Sequence, residues 1–258
     1  MNTRISIFSA AFIAALLVTG CGKSKKEIPV TGIDIKPNSM ELFIGQSLPV
    51  TVTTIPADAT NTANLQVNVN KPDIAVYENG KVNALAAGSA KLIAVCDAVK
   101  SEANIKVYWT LTKNNVSYPI KKATGYRNYM GEPEVQYYDL DFTDGTEHIR
   151  IMIWAKHFGQ KIDVSKPLPG LDEYDTCFIN VVRNNNENDI TIFLSGTEPP
   201  VIRNEMFDVL PVTPSGYFCV KQVTGKGYVV DVDVSLSNGG RWEMHYEGPI
   251  ILQDEHKP

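Results

Sequence analysis

The sequence predicts an all-β chain made of a smaller and a larger unit. Three observations carry this. Short runs alternate apolar and polar residues with a period of two, the pattern of strands that bury one face. Asn-, Asp- and Gly-rich pairs separate those runs at intervals of roughly 8 to 12 residues, as in β-sandwiches. Beyond the N-terminus, no window carries the apolar stripe of a useful helix. At 258 residues, 43% hydrophobic and 21% charged, the composition is that of an ordinary globular protein. A formal charge of −5 and a pI near 5.4 argue against a nucleic-acid partner, which needs a basic face.

Residues 1–21 read MNTRISIFSAAFIAALLVTGC. Arg4 gives a positive start, and Ile5 to Val18 is an apolar stretch too short to span a membrane comfortably. That layout is a secretory signal peptide, here residues 1–20. It ends in Val18-Thr19-Gly20-Cys21: an aliphatic residue, two small residues and a Cys. The run resembles the bacterial lipoprotein signal, or lipobox. The resemblance implies cleavage before Cys21, lipidation of its thiol and new amine (palmitate-type chains), and a partner in the lipid bilayer of the cell envelope, with the outer membrane expected. Two or more acyl chains anchor a protein stably where one does not. Residues 21–29 are polar and read as a flexible tether. Surface-exported lipoproteins of gut Bacteroidetes often carry acidic residues after the Cys. Here Lys23, Lys25 and Lys26 come first, which leaves the surface and periplasmic faces both open.

Residues 30–107 form the smaller unit. Thr31 to Ile35 alternates, Met40 to Ile44 stops at Gly45-Gln46, and Leu48 to Ile55 alternates until Pro56. Asp73 to Tyr77 meets Asn79-Gly80, a strong hairpin signal, and Lys81-Val82 and Lys91 to Val95 supply further strands. The order Val30-Thr-Gly-Ile-Asp-Ile35, Gly45-Gln-Ser47, Pro56-Ala-Asp-Ala59, Lys71-Pro-Asp-Ile-Ala-Val76, Asn79-Gly-Lys-Val82 and Ala87 to Ile93 resembles the group 2 bacterial immunoglobulin-like domain. The resemblance implies an Ig-like β-sandwich, often a spacer in adhesins, surface enzymes and lipoproteins. Val67 stands where that family usually has Trp.

Residues 108–252 are long enough for a core of their own. Tyr138, Leu140 and Phe142 alternate with Tyr137, Asp139 and Asp141. Ile149, Ile151 and Ile153 alternate with His148, Arg150, Met152 and Trp154. Ile190, Ile192 and Leu194 follow, then Tyr228 to Leu236 and Trp242 to Tyr246 in the same manner. Asn114-Asn115, Asp144-Gly145, Asn184 to Asn186, Gly225 to Gly227 and Asn238 to Gly240 are turns by composition. The last three strands, 216–223, 227–237 and 240–252, read as a meander, with 253–258 as a tail. The ending resembles the C-terminal halves of uncharacterised Bacteroidetes lipoproteins, which implies a larger antiparallel β-sandwich or lipocalin-like barrel and no activity.

Little in the chain carries catalytic chemistry. No Gly-rich phosphate loop, nucleophile elbow or His-Glu-x-x-His occurs. Asp231 with Asp233, and Asp139 with Asp141, are paired along strands at about 7 Å, a spacing that a glycosidase could use. Alternating Asp on a solvated sheet face is the simpler reading. His148, His157, His245 and His256 are scattered, and Asp139, Asp141 and Asp144 lack EF-hand spacing, so no metal or other cofactor is expected. In an oxidising compartment Cys177 and Cys219 could pair, or remain two buried thiols. Tyr137, Met152, Trp154 and Phe193 lie out of phase with the aliphatic rows of their strands. They either meet a second layer or form a binding face for a glycan or surface protein.

The sequence therefore predicts a membrane-anchored envelope lipoprotein with a non-enzymatic binding or adhesive role. The alternative is a structural subunit of a fimbrial-type appendage, which would dock a neighbour's strand. A glycan-active enzyme is the third class.

Overall fold

The computed structural model describes residues 26–129, 136–171, 177–183, 190–204, 208–225 and 227–255, with 181–183 as backbone alone. The smaller unit holds β1 (Gly32–Lys36), β2 (Ser39–Phe43), β3 (Ser47–Pro49), β4 (Thr51–Ile55), β5 (Gln66–Val69), β6 (Ala75–Glu78), β7 (Lys81–Ala84), β8 (Gly88–Cys96) and β9 (Val99–Tyr108). They pair as β2-β9-β8-β5, β3-β7-β6 and β1-β4. Strands β2 and β9 run parallel, and the other pairings are antiparallel. Period-two burial lines the core: Ala90, Leu92, Ala94 and Cys96 on β8 share one buried sheet face with Ala103, Ile105 and Val107 on β9. Asn79 and Gly80 turn β6 into β7 with φ of 52° and 73°, the left-handed pair a tight hairpin needs. Val67 is half-buried and packs against this core.

The larger unit follows after a single residue, Trp109. Its strands are β10 (Thr110–Lys113), β11 (Val116–Pro119), β12 (Lys122–Tyr129), β13 (Gln136–Thr143), β14 (Glu147–Trp154), β15 (Ile162–Asp163), β16 (Cys177–Arg183), β17 (Ile190–Leu194), β18 (Val201–Asn204), β19 (Pro214–Val223), β20 (Gly227–Leu236), β21 (Arg241–Gly248) and β22 (Ile251–Glu255). Among the described residues they form a six-stranded sheet, β11-β10-β21-β20-β19-β15, and a seven-stranded sheet, β18-β17-β16-β14-β13-β12-β22. Among the described residues no strand pairing joins the two, and their packing is that of a sandwich rather than a lipocalin-like barrel.

The alternation read from the sequence decides which side chains meet between the sheets. Leu140, Phe142, Ile149, Ile151 and Ile153 from one sheet are 0% exposed, as are Leu111, Phe218, Val220, Val230 and Val234 from the other. Phe142 and Tyr246 touch across the gap with ring centroids 5.1 Å apart. Each such side chain contributes about 1.5–3 kcal/mol by leaving water. Gly125 on β12 lets the strand approach its neighbour closely, because a Cβ there would lie 2.4 Å from the Asp139 carbonyl oxygen.

Two sequence expectations change. Strands β19, β20 and β21 are antiparallel neighbours, but the stretch 240–252 is not one strand. Pro249 has no N–H to continue the ladder, and Pro249-Ile250 carries the chain to the other sheet. There β22 pairs parallel with β12, held by an Arg127–Asp254 ion pair at 2.6 Å. Residues 253–255, expected in the tail, are therefore in a sheet. A 3-10 turn at Ala155–His157 also follows β14, where the sequence showed no helical signal. The expected turn at Asn184 to Asn186 lies outside the described residues.

Candidate functional site

The outer face of the seven-stranded sheet gathers most of the residues singled out in the sequence. Cross-strand register places Asp139 opposite Met152, Met152 opposite Phe178, Phe178 opposite Phe193, and Phe193 opposite Val201. This is one continuous row over β13, β14, β16, β17 and β18, and each member is half-buried. Phe178 and Phe193 stand 5.9 Å apart by ring centroid. Tyr137 lies two residues along from Asp139, opposite Trp154, with the rings 5.4 Å apart. Burial raises the Asp139 carboxyl above its ordinary value, helped by Asp141 and Glu255 and opposed by Arg150. Phe178 was missed in the sequence reading, although its parity opposite to Cys177 and Ile179 carries the signal.

Trp154 does not present an open ring. It is 7% exposed and belongs to the core cluster of the larger unit, with the Lys156 ammonium 5.6 Å from its ring centroid. It is the last residue of β14, and the 3-10 turn starts beside it, so strand parity no longer fixes its direction. Of the four aromatic and Met positions, Met152 and Phe193 are half-buried in the outer row, and Tyr137, also half-buried, packs against the core cluster beside Trp154.

The paired carboxylates have partners of their own. Asp141 accepts from His148 Nδ1 at 2.9 Å and lies 3.7 Å from Arg150 Nε. Asp231 lies 2.6 Å from His245 Nδ1, and Asp233 lies 3.2 Å from the Arg241 guanidinium. Asp144 accepts the backbone N–H groups of Thr146 and Glu147 and so builds a turn. On the six-stranded sheet, register sets Cys219, Asp231 and His245 in a row. The carboxylate stands between thiol and imidazole, the reverse of a nucleophile activated by a His. Burial, with Asp231 beside it, raises the Cys219 thiol, so little thiolate forms at neutral pH. Among the described residues no group of three or more His, Cys, Asp or Glu could hold a metal.

The possible Cys177–Cys219 disulfide is absent: both are free thiols. Cys177 is fully buried on β16 and its Sγ donates to the Met152 carbonyl at 2.8 Å. Cys219 sits on the opposite sheet, out of phase with the buried Phe218 and Val220, and so points away from the shared core. The Cys21 region lies outside the described residues. No described helix is long and apolar enough to cross a membrane.

Comparison with known proteins bears on the first unit. No curated protein matches the chain. Among solved structures, domains 5–6 of the S-layer protein SbsC align at 13% identity over 68% of this chain and 96% of that one, with a TM-score of 0.28. The sequence model of the bacterial Ig-like domain (group 2) matches residues 29–107. The register, hairpin and core described above fit that match, and this segment is a group 2 bacterial Ig-like domain.

Proposed function

We propose that the chain is an envelope lipoprotein with a non-enzymatic binding role, anchored in the outer membrane through acylated Cys21. The Ig-like domain acts as a spacer and the larger sandwich engages the partner. The observation that carries this reading is the order of parts. An apolar leader ends in Val18-Thr-Gly-Cys21, a short polar tether follows, and a bacterial Ig-like domain begins at once. The outer row of Met152, Phe178 and Phe193, flanked by Tyr137, supports a binding face for a glycan or surface protein, because aromatic and Met side chains on a surface serve recognition. Fractionation of expressing cells tests the anchor. Wild type should sediment with membranes, and Cys21→Ala should stay uncleaved or be released. Normal processing and membrane retention of Cys21→Ala would contradict the proposal.

A further inference from the structure

The junction between the two units holds a cleft of about 320 Å³. Tyr108 and Trp109, both half-buried, form part of its wall, and Lys106, Lys121 and Lys122 stand exposed around it. The junction is tied on both sides. Trp109 Nε1 donates to the Glu247 carbonyl at 2.6 Å, the Tyr108 hydroxyl donates to Glu41 at 3.3 Å, and Lys121 lies 3.4 Å from Glu41. The cleft is thus walled by both units rather than by one loop.

A second cleft of about 360 Å³ opens on the outer face of β2, β9 and β8. Lys71, Ser89, Lys91 and Asn104 line it together with Glu41, whose carboxylate is engaged by Lys121; Glu247 lines the first cleft, and Lys106 belongs to both. Lys106 Nζ reaches Ser89 Oγ at 3.5 Å and lies 5.6 Å from the Tyr108 ring centroid, so it bridges the two. Lys91 is engaged by Glu102 at 2.6 Å. Among the described residues Lys71, Lys106 and Lys122 form no ion pair. A chain of net negative charge therefore carries three uncompensated ammonium groups along one track of two joined clefts.

We propose that this track binds an acidic polysaccharide. Two adjoining clefts suit an extended chain better than a single small anion. The lysines meet its carboxylates or sulfates, and Tyr108 and Trp109 supply apolar faces beside them, the mixture of aromatic walls and a few charged groups typical of ligand sites. The site is separate from the outer face of the seven-stranded sheet and from Cys21, so it stands or falls independently of both.

Calorimetric titration of the full chain in detergent tests it, with alginate and dextran sulfate oligosaccharides as anionic probes, uncharged dextran and inorganic phosphate as controls, and phosphatidylglycerol vesicles as the competing surface. The expected result is salt-sensitive binding to at least one anionic oligosaccharide and none to dextran. In Lys106→Gln/Lys122→Gln, affinity should fall roughly two- to thirtyfold, the sum of two exposed charge pairs. That variant should melt as wild type does, and Lys161→Gln, on the larger sandwich away from both clefts, should bind as wild type does. No binding to either anionic polymer, equal binding of phosphate, stronger binding to the vesicles, or an equal loss in Lys161→Gln would overturn the proposal.

Discussion

Lys113 on β10 and Glu147 at the start of β14 join the two sheets of the larger sandwich, with Nζ 3.2 Å from Oε2. Their side chains are 18% and 2% exposed, so this ion pair is largely removed from water. Removing Lys113 takes one cation away from a carboxylate that is almost wholly buried. Lys113→Met should therefore destabilise the chain by about 1–3 kcal/mol, and the loss should be smaller when Glu147→Leu is combined with it. Chemical denaturation of the single and double variants checks it, and an additive double variant would count against the pair as a unit.

Trp154 and Phe193 should behave differently although the sequence grouped them. Trp154 is in the core, and Trp154→Ala should cost about 3–5 kcal/mol. Phe193 is half-exposed, and Phe193→Ala should cost roughly 1 kcal/mol. Thermal melts of the two variants compare them directly. Equal, small losses would mean that Trp154 is not a core residue.

Burial holds the Asp139 carboxyl above its unfolded value, so its ionised form weakens the fold at neutral pH. The penalty is present above the folded pKa and disappears as the pH falls below the ordinary value of 3.8. Asp139→Asn should melt higher than wild type at pH 7, and the gain should vanish near pH 3. A lower melting temperature at pH 7 would show that the Arg150 charge outweighs desolvation.

The alternation along each strand was legible because one face is buried and a one-residue slip would invert it. Ile149, Ile151 and Ile153 all face the core as read. The hairpin at Asn114-Asn115 was legible too, since both residues adopt the positive φ that Asn tolerates, 51° and 67°. The crossover of β22 was not, because parallel pairing with β12 depends on a strand more than a hundred residues earlier. Trp154 misled because parity ends where the strand ends. The lysine track escaped notice because Lys71, Lys106 and Lys122 come from separate segments: the fold of the smaller unit brings Lys71 and Lys106 to one cleft, and the junction adds Lys122.

The two hydrophobic cores share no buried residue: one ends at Val107 and the other begins at Leu111. Residues 28–108 and 108–258, expressed apart, should each unfold cooperatively in denaturant. Failure of either piece to fold alone would show that the contacts of Trp109 and Glu41 across the junction are required for stability, and would set aside the spacer reading of the Ig-like domain.

The account rests most heavily on Cys21. Mass spectrometry of the mature protein from membranes tests it directly. The expected N-terminal peptide starts at Cys21 and carries a diacylglyceryl thioether with an acylated amine. A chain that keeps residues 1–20, or one cleaved elsewhere with an unmodified Cys21, would contradict the anchored-lipoprotein reading.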